Sequence, residues 1–232
     1  MRRVPIDLVI FDCDGVLVDS EVISCRAHAK VLTRHGYPIT EAQVLKRFLG
    51  VSDREARQIV ETEIGRELPE DIEAQIKQET LRSYDGDLKA IAHVGDAIAA
   101  ISLPKCVASS GTPEKIRRGL CCAGLYEQFA PHIFSAADVK RGKPAPDLFL
   151  FAAERMGAKP ECCVVVEDSV PGVTGARAAG MTVLGFHGGS HCGAGHAETL
   201  RNAGAHETFG DMRQLPALIA ENRDLIAGFS AS

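Results

Sequence analysis

Apolar and polar positions change rhythm twice along this chain. Residues 6–10 (IDLVI) form a short apolar run through Ile6, Leu8, Val9 and Ile10, as a buried strand does. From residue 20 to 84 the spacing becomes helical. Val22, Cys25, Ala29 and Leu32 recur at i, i+3, i+7 and i+10, and Arg26, Lys30 and Arg34 fall opposite them. Ser20 precedes this helix as a candidate N-cap, with Glu21 in the first turn, and Gly36 ends it. Further helices are predicted over 40–48, 52–64 and 69–83, punctuated by Gly50, Gly65 and Pro69. Beyond residue 86, strands and helices alternate. Helices are predicted over 93–102, 113–123, 146–157, 171–179 and 212–221, and strands over 105–109, 132–135, 162–167 and 182–186.

Alternation of this kind implies right-handed crossovers and a parallel sheet. The fold class is therefore α/β: a Rossmann-like parallel sheet with helices on both faces. An all-helical insert of about 65 residues separates the first strand from the rest, too long for a simple loop. The division expected is a core of residues 1–16 and 86–232 and a small helical cap domain of residues 17–85.

Composition narrows the function classes. The chain has 232 residues and a net charge of −5, an acidic balance that argues against a general nucleic-acid grip, which would need a basic face. No apolar run reaches the length of a membrane span. The opening MRRVPIDLVIFDCDG makes a poor secretion signal and a good first strand. The eight cysteines include two adjacent pairs, Cys121–Cys122 and Cys162–Cys163, and no C-x-x-C. Free thiols in a reducing cytoplasm are the expectation. A monomer or weak dimer is expected.

The chemistry concentrates where strands end. In FDCDGVLVDS, Asp12 and Asp14 follow the first strand one residue apart, so alternation turns both to one side, and Cys13 to the core. Two carboxylates about 4 Å apart repel by roughly 4 kcal/mol at an effective dielectric near 20. A cation, a proton or open water must offset that. Ligands of open parallel sheets bind beyond the carboxyl ends of the strands. The 105–109 strand delivers Ser109, then Ser110, Gly111 and Thr112. The 162–167 strand delivers Glu167, Asp168 and Ser169, and KRGKPAPD places Lys143 before a helix. Asp12, Glu167 and Asp168 offer hard oxygens suited to Mg2+. Ser109 and helix N-terminal N–H groups suit phosphate oxygens, and Lys143 suits developing negative charge. A carboxylate so placed can attack phosphorus, and a second can move protons.

Taken together, D-x-D-G-V-L-V-D-S, the strand-end serine, the lysine of G-K-P-x-P-D and V-V-E-D-S-x-x-G resemble the motifs of the haloacid dehalogenase-like superfamily, in order, from about residue 6 to residue 186. The resemblance implies Asp12 as nucleophile and Asp14 as general acid/base. It implies Mg2+ held by Asp12, the Asp14 backbone carbonyl and Asp168, with Glu167 either ligating or close by. It also implies a cap inserted between the first and second motifs, with Gly15 in its hinge. The implied activity is a Mg2+-dependent phosphomonoesterase acting through an aspartyl-phosphate on a small phosphorylated metabolite. DCDGxLVDSEVI with KRFxGV is similar to bacterial sugar-phosphate phosphatases.

Other readings remain open. β-Phosphoglucomutases in the superfamily usually carry a histidine early in the cap, where this chain has Ser24. Their G-V-S-R loop becomes Gly50-Val51-Ser52-Asp53-Arg54 here. A phosphotransferase of that kind, or a non-catalytic phosphometabolite-binding protein, is the alternative. Ser109 serves as phosphate ligand or helix cap; Ser110, Gly111 and Thr112 touch phosphate or only build the turn. Arg47 and Arg54 bind substrate from the cap or lie on a solvated helix face. Asp19 and Ser20 read as hinge and capping residues. FHGGSHCGAGH holds His187, His191, Cys192 and His196, yet its glycines and spacing suggest a flexible surface loop more than a zinc site.

Overall fold

The computed structural model describes residues 6–48, 51 and 53–224. Six parallel strands form one sheet: β1 (Leu8–Phe11), β2 (Lys105–Ser109), β3 (Ile133–Ser135), β4 (Cys163–Glu167), β5 (Thr182–Phe186) and β6 (Glu207–Phe209). Their spatial order is β3-β2-β1-β4-β5-β6. The sequence LVIF of β1 and CVVV of β4 are wholly buried, as central parallel strands covered on both faces must be. Alternate residues feed opposite faces. Val9, Phe11, Val107, Val164 and Val166 enter one apolar cluster, and Leu8, Ile10, Cys106, Cys163 and Val165 another. Cys13 is buried in the first, as its alternation demands.

Between β1 and β2 run four long helices: α1 (Glu21–Arg34), α2 (Glu41–Phe48), α3 (Asp53–Ile64) and α4 (Ile72–Asp87), followed by α5 (Val94–Ala100). The helical lobe has its own apolar cluster, including Cys25, Leu32, Val44, Phe48, Val60 and Ile72. Leu17 and Val18 pack with the sheet-side cluster, as do Ile23 of α1 and Leu81 and Tyr84 of α4. The seam between lobe and sheet thus runs through both helices. At the surface it carries Lys77–Glu114 at 2.9 Å and Arg118–Asp85 at 2.5 Å, exposed pairs that water and salt screen to little net stability.

The remaining helices cover the sheet: α6 (Pro113–Cys122), α7 (Tyr126–Phe129), α8 (Asp147–Arg155), α9 (Val170–Ala178), α10 (His196–Ala203) and α11 (Leu215–Asp224). Three elements go beyond the pattern read from sequence: the single turn α7, the helix α10 and the short edge strand β6. Each is eight residues or shorter. Each buries a single residue, Phe129, Leu200 and Phe209 respectively, so none shows an apolar repeat.

Candidate active site

The order of the strands decides where chemistry can collect. The chain runs from β1 through β2 to β3 on one side and then crosses back to β4 on the other side of β1, so the β1/β4 boundary is a topological switch point. Register completes the placement. Phe11 pairs with Val166, and the Asp12 N–H donates to the Val166 carbonyl at 3.0 Å. Asp12 therefore leaves the sheet beside Glu167 and Asp168. All three are buried, and each can offer an oxygen within 4.8 Å of the others.

Lys143 enters this acidic cluster from the segment before α8. Its Nζ donates to Asp12 Oδ1 and to Glu167 Oε1, both at 2.6 Å, with the side chain only 4% exposed. Burial opposes the charge on Lys143, but Asp12 and Glu167 overcome it and hold the ammonium's pKa above its ordinary value. Burial pushes the Asp12 and Asp168 carboxyls well up. Lys143 opposes the rise at Asp12, and Glu167 adds to it at Asp168. Glu167 already has donors on both oxygens. Oε2 accepts from the Asp168 N–H, the Ser169 N–H and the Ser169 hydroxyl, each at 2.9 Å. Its geometry suits positioning of Lys143 and of the turn that carries Asp168. The oxygens that Asp12, Glu167 and Asp168 gather around a buried excess of negative charge are donors of the kind that fit Mg2+.

Asp14 has different partners. Its Oδ1 accepts the Ser20 hydroxyl at 2.5 Å, and Lys115 Nζ lies 3.0 Å from Oδ2. Burial acts to raise this carboxyl, but Lys115 and the Ser20 hydroxyl outweigh it and hold it below the ordinary value. Ser20 stands at the N-cap position of α1 in a helical backbone conformation without a side-chain cap bond, and its hydroxyl donates to Asp14. The capping role read from sequence is replaced by a contact with the acid pair.

At the end of β2, Ser109 is buried and its Oγ accepts the Gly111 N–H at 3.0 Å. Thr112, one turn on, caps α6 by accepting from the Lys115 N–H. Ser110 and Gly111 join Asp12, Asp14, Lys143 and Asp168 on the wall of a cavity of about 1190 Å3. The facing wall belongs to the helical lobe and includes Glu21, Ser24, His28, Arg57 and Thr80.

A strand-end acid pair, a buried lysine between strands and an oxygen-rich acidic corner agree with a family comparison. Residues 6–180 match the model of the haloacid dehalogenase-like hydrolases. The chain belongs to this family. Among its relatives, the 6-phosphogluconate phosphatase of Escherichia coli (strain K12) is 36% identical over 214 residues, 92% of this chain and 94% of that protein. The phosphorylated carbohydrates phosphatase of Thermotoga maritima is 32% identical over 75% of this chain and 82% of its own. A crystal structure of a haloacid dehalogenase-like protein of unknown function from Agrobacterium tumefaciens is 41% identical. It superposes with a TM-score of 0.85 over 93% of this chain and 98% of that one.

Two expected substrate contacts of this haloacid dehalogenase-like chain lie elsewhere. Arg47 is engaged by Glu63 at 2.5 Å and by the Tyr37 hydroxyl at 2.6 Å, away from the cavity wall. Arg54 is exposed and also off that wall; Arg57, one turn further along α3, lines it instead. Gly50 and Ser52 of the cap loop lie outside the described residues. Conversely, Lys115 is not singled out by the sequence, and His191 is read there only as part of a flexible surface loop. Lys115 sits in the first turn of α6, directly after the Ser109–Thr112 turn, and that offset was the available signal. His191 is 7% exposed, and its Nε2 stands 2.9 Å from Asp168 Oδ2. The 187–196 segment is therefore folded back onto the acidic corner. Ser190 completes the fold by donating through its N–H and hydroxyl to Asp19 Oδ1.

Proposed function

We propose that this chain is a Mg2+-dependent phosphatase of small phosphorylated sugars, working through a phosphorylated Asp12. The observation that carries the reading is the division of labour between the two neighbouring aspartates. Asp12 lies with Lys143 and the metal corner, and Asp14 lies with Lys115 and Ser20. The relatives' names, which cite 6-phosphogluconate and phosphorylated carbohydrates, support the substrate class.

Asp12, Asp168 and the Asp14 carbonyl would hold Mg2+, which supplies charge neutralisation for phosphate and carboxylate oxygens at close quarters. The chain's own residues do the rest. Lys143 favours the ionised form of Asp12 against burial and orients it, leaving its second oxygen to attack phosphorus. Ser109, Ser110 and the Gly111 backbone hold phosphate oxygens. An arriving phosphate competes with Asp14 for Lys115, so the carboxyl can take up a proton and hand it to the departing alkoxide. Ionised again, Asp14 takes a proton from the water that opens the phosphoaspartate. The helical lobe roofs the cavity, and its weak surface pairs to α6 allow it to open and close over a small substrate. A cavity of this size suits a small metabolite, and the acidic net charge suits neither nucleic acid nor an anionic membrane. No described helix is long and apolar enough to cross a membrane.

Phosphate release from a panel of sugar phosphates, with and without Mg2+, tests the reading. Turnover in the wild type and none in Asp12→Asn is expected. Unchanged turnover in Asp12→Asn removes the nucleophile, and no turnover on any ester favours a binding protein. His28 on the lobe wall, one turn beyond Ser24, is the observation on the side of a mutase. Isomerisation of β-glucose 1-phosphate without phosphate release would establish that alternative.

A further inference from the structure

The segment after β5 carries two imidazoles and a thiol that the phosphatase reading does not use. His191, Cys192 and His196 can each offer one ligand atom, and these lie within 4.8 Å of one another. His191 Nε2 is 3.3 Å from Cys192 Sγ and 2.9 Å from Asp168 Oδ2. Donors sharing one tetrahedral zinc, with bonds of about 2.0–2.3 Å, stand roughly 3.3–3.7 Å apart. The cluster is within a few tenths of an ångström of that spacing on the two edges just given.

The surrounding chain is shaped to bring these donors together. A Cβ at Gly189 would stand 2.7 Å from His191 Cε1, and one at Gly15 would stand 2.9 Å from it, so two bare glycines admit the ring. His196 opens α10, and its Nε2 lies 2.7 Å from the Asp168 carbonyl. A carbonyl only accepts, so that nitrogen carries the proton and Nδ1 keeps a lone pair. Ligating histidines are oriented by such a bond on the far nitrogen.

We propose that His191, Cys192 and His196, with the Asp168 carboxylate as fourth donor, form a second cation site for a borderline-soft divalent ion of the Zn2+ class. One thiolate and two imidazoles select such an ion over Mg2+, and the all-oxygen corner next door has the opposite preference. Asp168 belongs to both sites. Filling the softer one draws its carboxylate from the harder one, so Zn2+ raises the Mg2+ concentration needed for half-maximal phosphatase activity.

Co2+ titration of the full chain, with Mg2+ present, reads the site directly. A thiolate-to-cobalt charge-transfer band in the near ultraviolet, saturating at one equivalent and abolished by Zn2+, is expected. Cys192→Ser removes the band and weakens Zn2+ binding by at least about tenfold, measured against a chromogenic chelator. Its thermal midpoint stays within about 2 °C of wild type and its phosphate release in Mg2+ within about twofold. His196→Gln keeps a donor for the Asp168 carbonyl but loses the ligand, and it weakens Zn2+ binding to a similar degree. Absence of the band, a band that survives Cys192→Ser, or equal Zn2+ affinity in wild type and both variants overturns the proposal. Because the band reports metal and thiol alone, it is independent of whether any sugar phosphate is hydrolysed.

Discussion

Lys143 Nζ stands 2.6 Å from Asp12 Oδ1 across 131 residues of sequence, and equally close to Glu167 Oε1. One ammonium thus serves a buried corner holding three carboxylates. Lys143→Met leaves those acids without their cation. Breaking a buried ion pair from one side costs about 3–5 kcal/mol, so the variant is expected to lose about 3 kcal/mol in urea unfolding. Turnover falls by about 100-fold or more, because the charge aimed at the phosphoryl group is gone. A stability loss below about 1 kcal/mol would mean the acids are neutral in the folded chain, and the ionised-nucleophile reading would fail with it.

Asp14 takes its ionised form from Lys115 and Ser20. Burial alone would raise its carboxyl. Removing the ammonium in Lys115→Met therefore moves its pKa upward. A base with a higher pKa is lost earlier as pH falls, so the acid limb of the kcat profile shifts upward. Ser20→Ala shifts the limb in the same direction by less. It leaves α1 as stable as before, since Ser20 caps nothing. An acid limb that stays in place in both variants would separate Asp14 from the proton steps.

Stability of the metal-free chain carries the opposite sign. Asp12 and Asp168 have folded pKa values raised by burial above the ordinary carboxylate value of about 3.9. Groups raised in the folded state stabilise it at low pH, and that contribution is lost as pH rises through the folded values. A bound divalent cation opposes the loss. Mg2+ at about 100 times its Kd adds about 2.7 kcal/mol, or roughly 5–10 °C in a chain of this size. At the same Mg2+ concentration the shift shrinks as pH falls through the raised folded values, where the acids take up protons. Asp168→Asn abolishes it. A shift as large in the acid buffer, or preserved in Asp168→Asn, would place the ion elsewhere.

Much of this was legible in the sequence because it is local. The four-residue run LVIF and the run CVVVE announce central strands, and a strand end followed by D-x-D or E-D states its chemistry in place. The helical insert shows its amphipathic spacing over four successive helices. What stayed hidden depends on distant parts of the chain. Ser20 looks like a cap until Asp14 is seen to take its hydroxyl. Arg47 looks available until Tyr37 and Glu63 are folded against it. His191 lies in a glycine-rich stretch whose composition suggests a surface loop, and only the tertiary fold carries it to Asp168, 23 residues earlier by the difference of the two numbers. Charge and polarity show which groups can bond, but partner choice is set by packing.

Gly15 joins the acid pair to the metal corner through an absence of atoms. Its φ is +81°, and a Cβ there would stand 1.9 Å from Asp168 Oδ2 and 2.8 Å from Asp168 Cγ. Gly15→Ala therefore meets two separate costs. The left-handed backbone costs about 1–2 kcal/mol for any L side chain. The methyl group must also displace the Asp168 carboxylate, which belongs to the metal corner. Gly157→Ala isolates the first cost, since Gly157 has φ +68° and nothing within 4 Å of an added Cβ. Both variants are expected to lose about 1–2 kcal/mol in denaturant unfolding, Gly15→Ala somewhat more. Only Gly15→Ala should lose the Mg2+-dependent thermal shift. Its turnover should fall by about 100-fold, the scale of a misplacement near 1 Å at a reacting centre. Equal Mg2+ responses in the two variants would show that Asp168 tolerates the displacement, and that the ion does not depend on the position this carboxylate now holds.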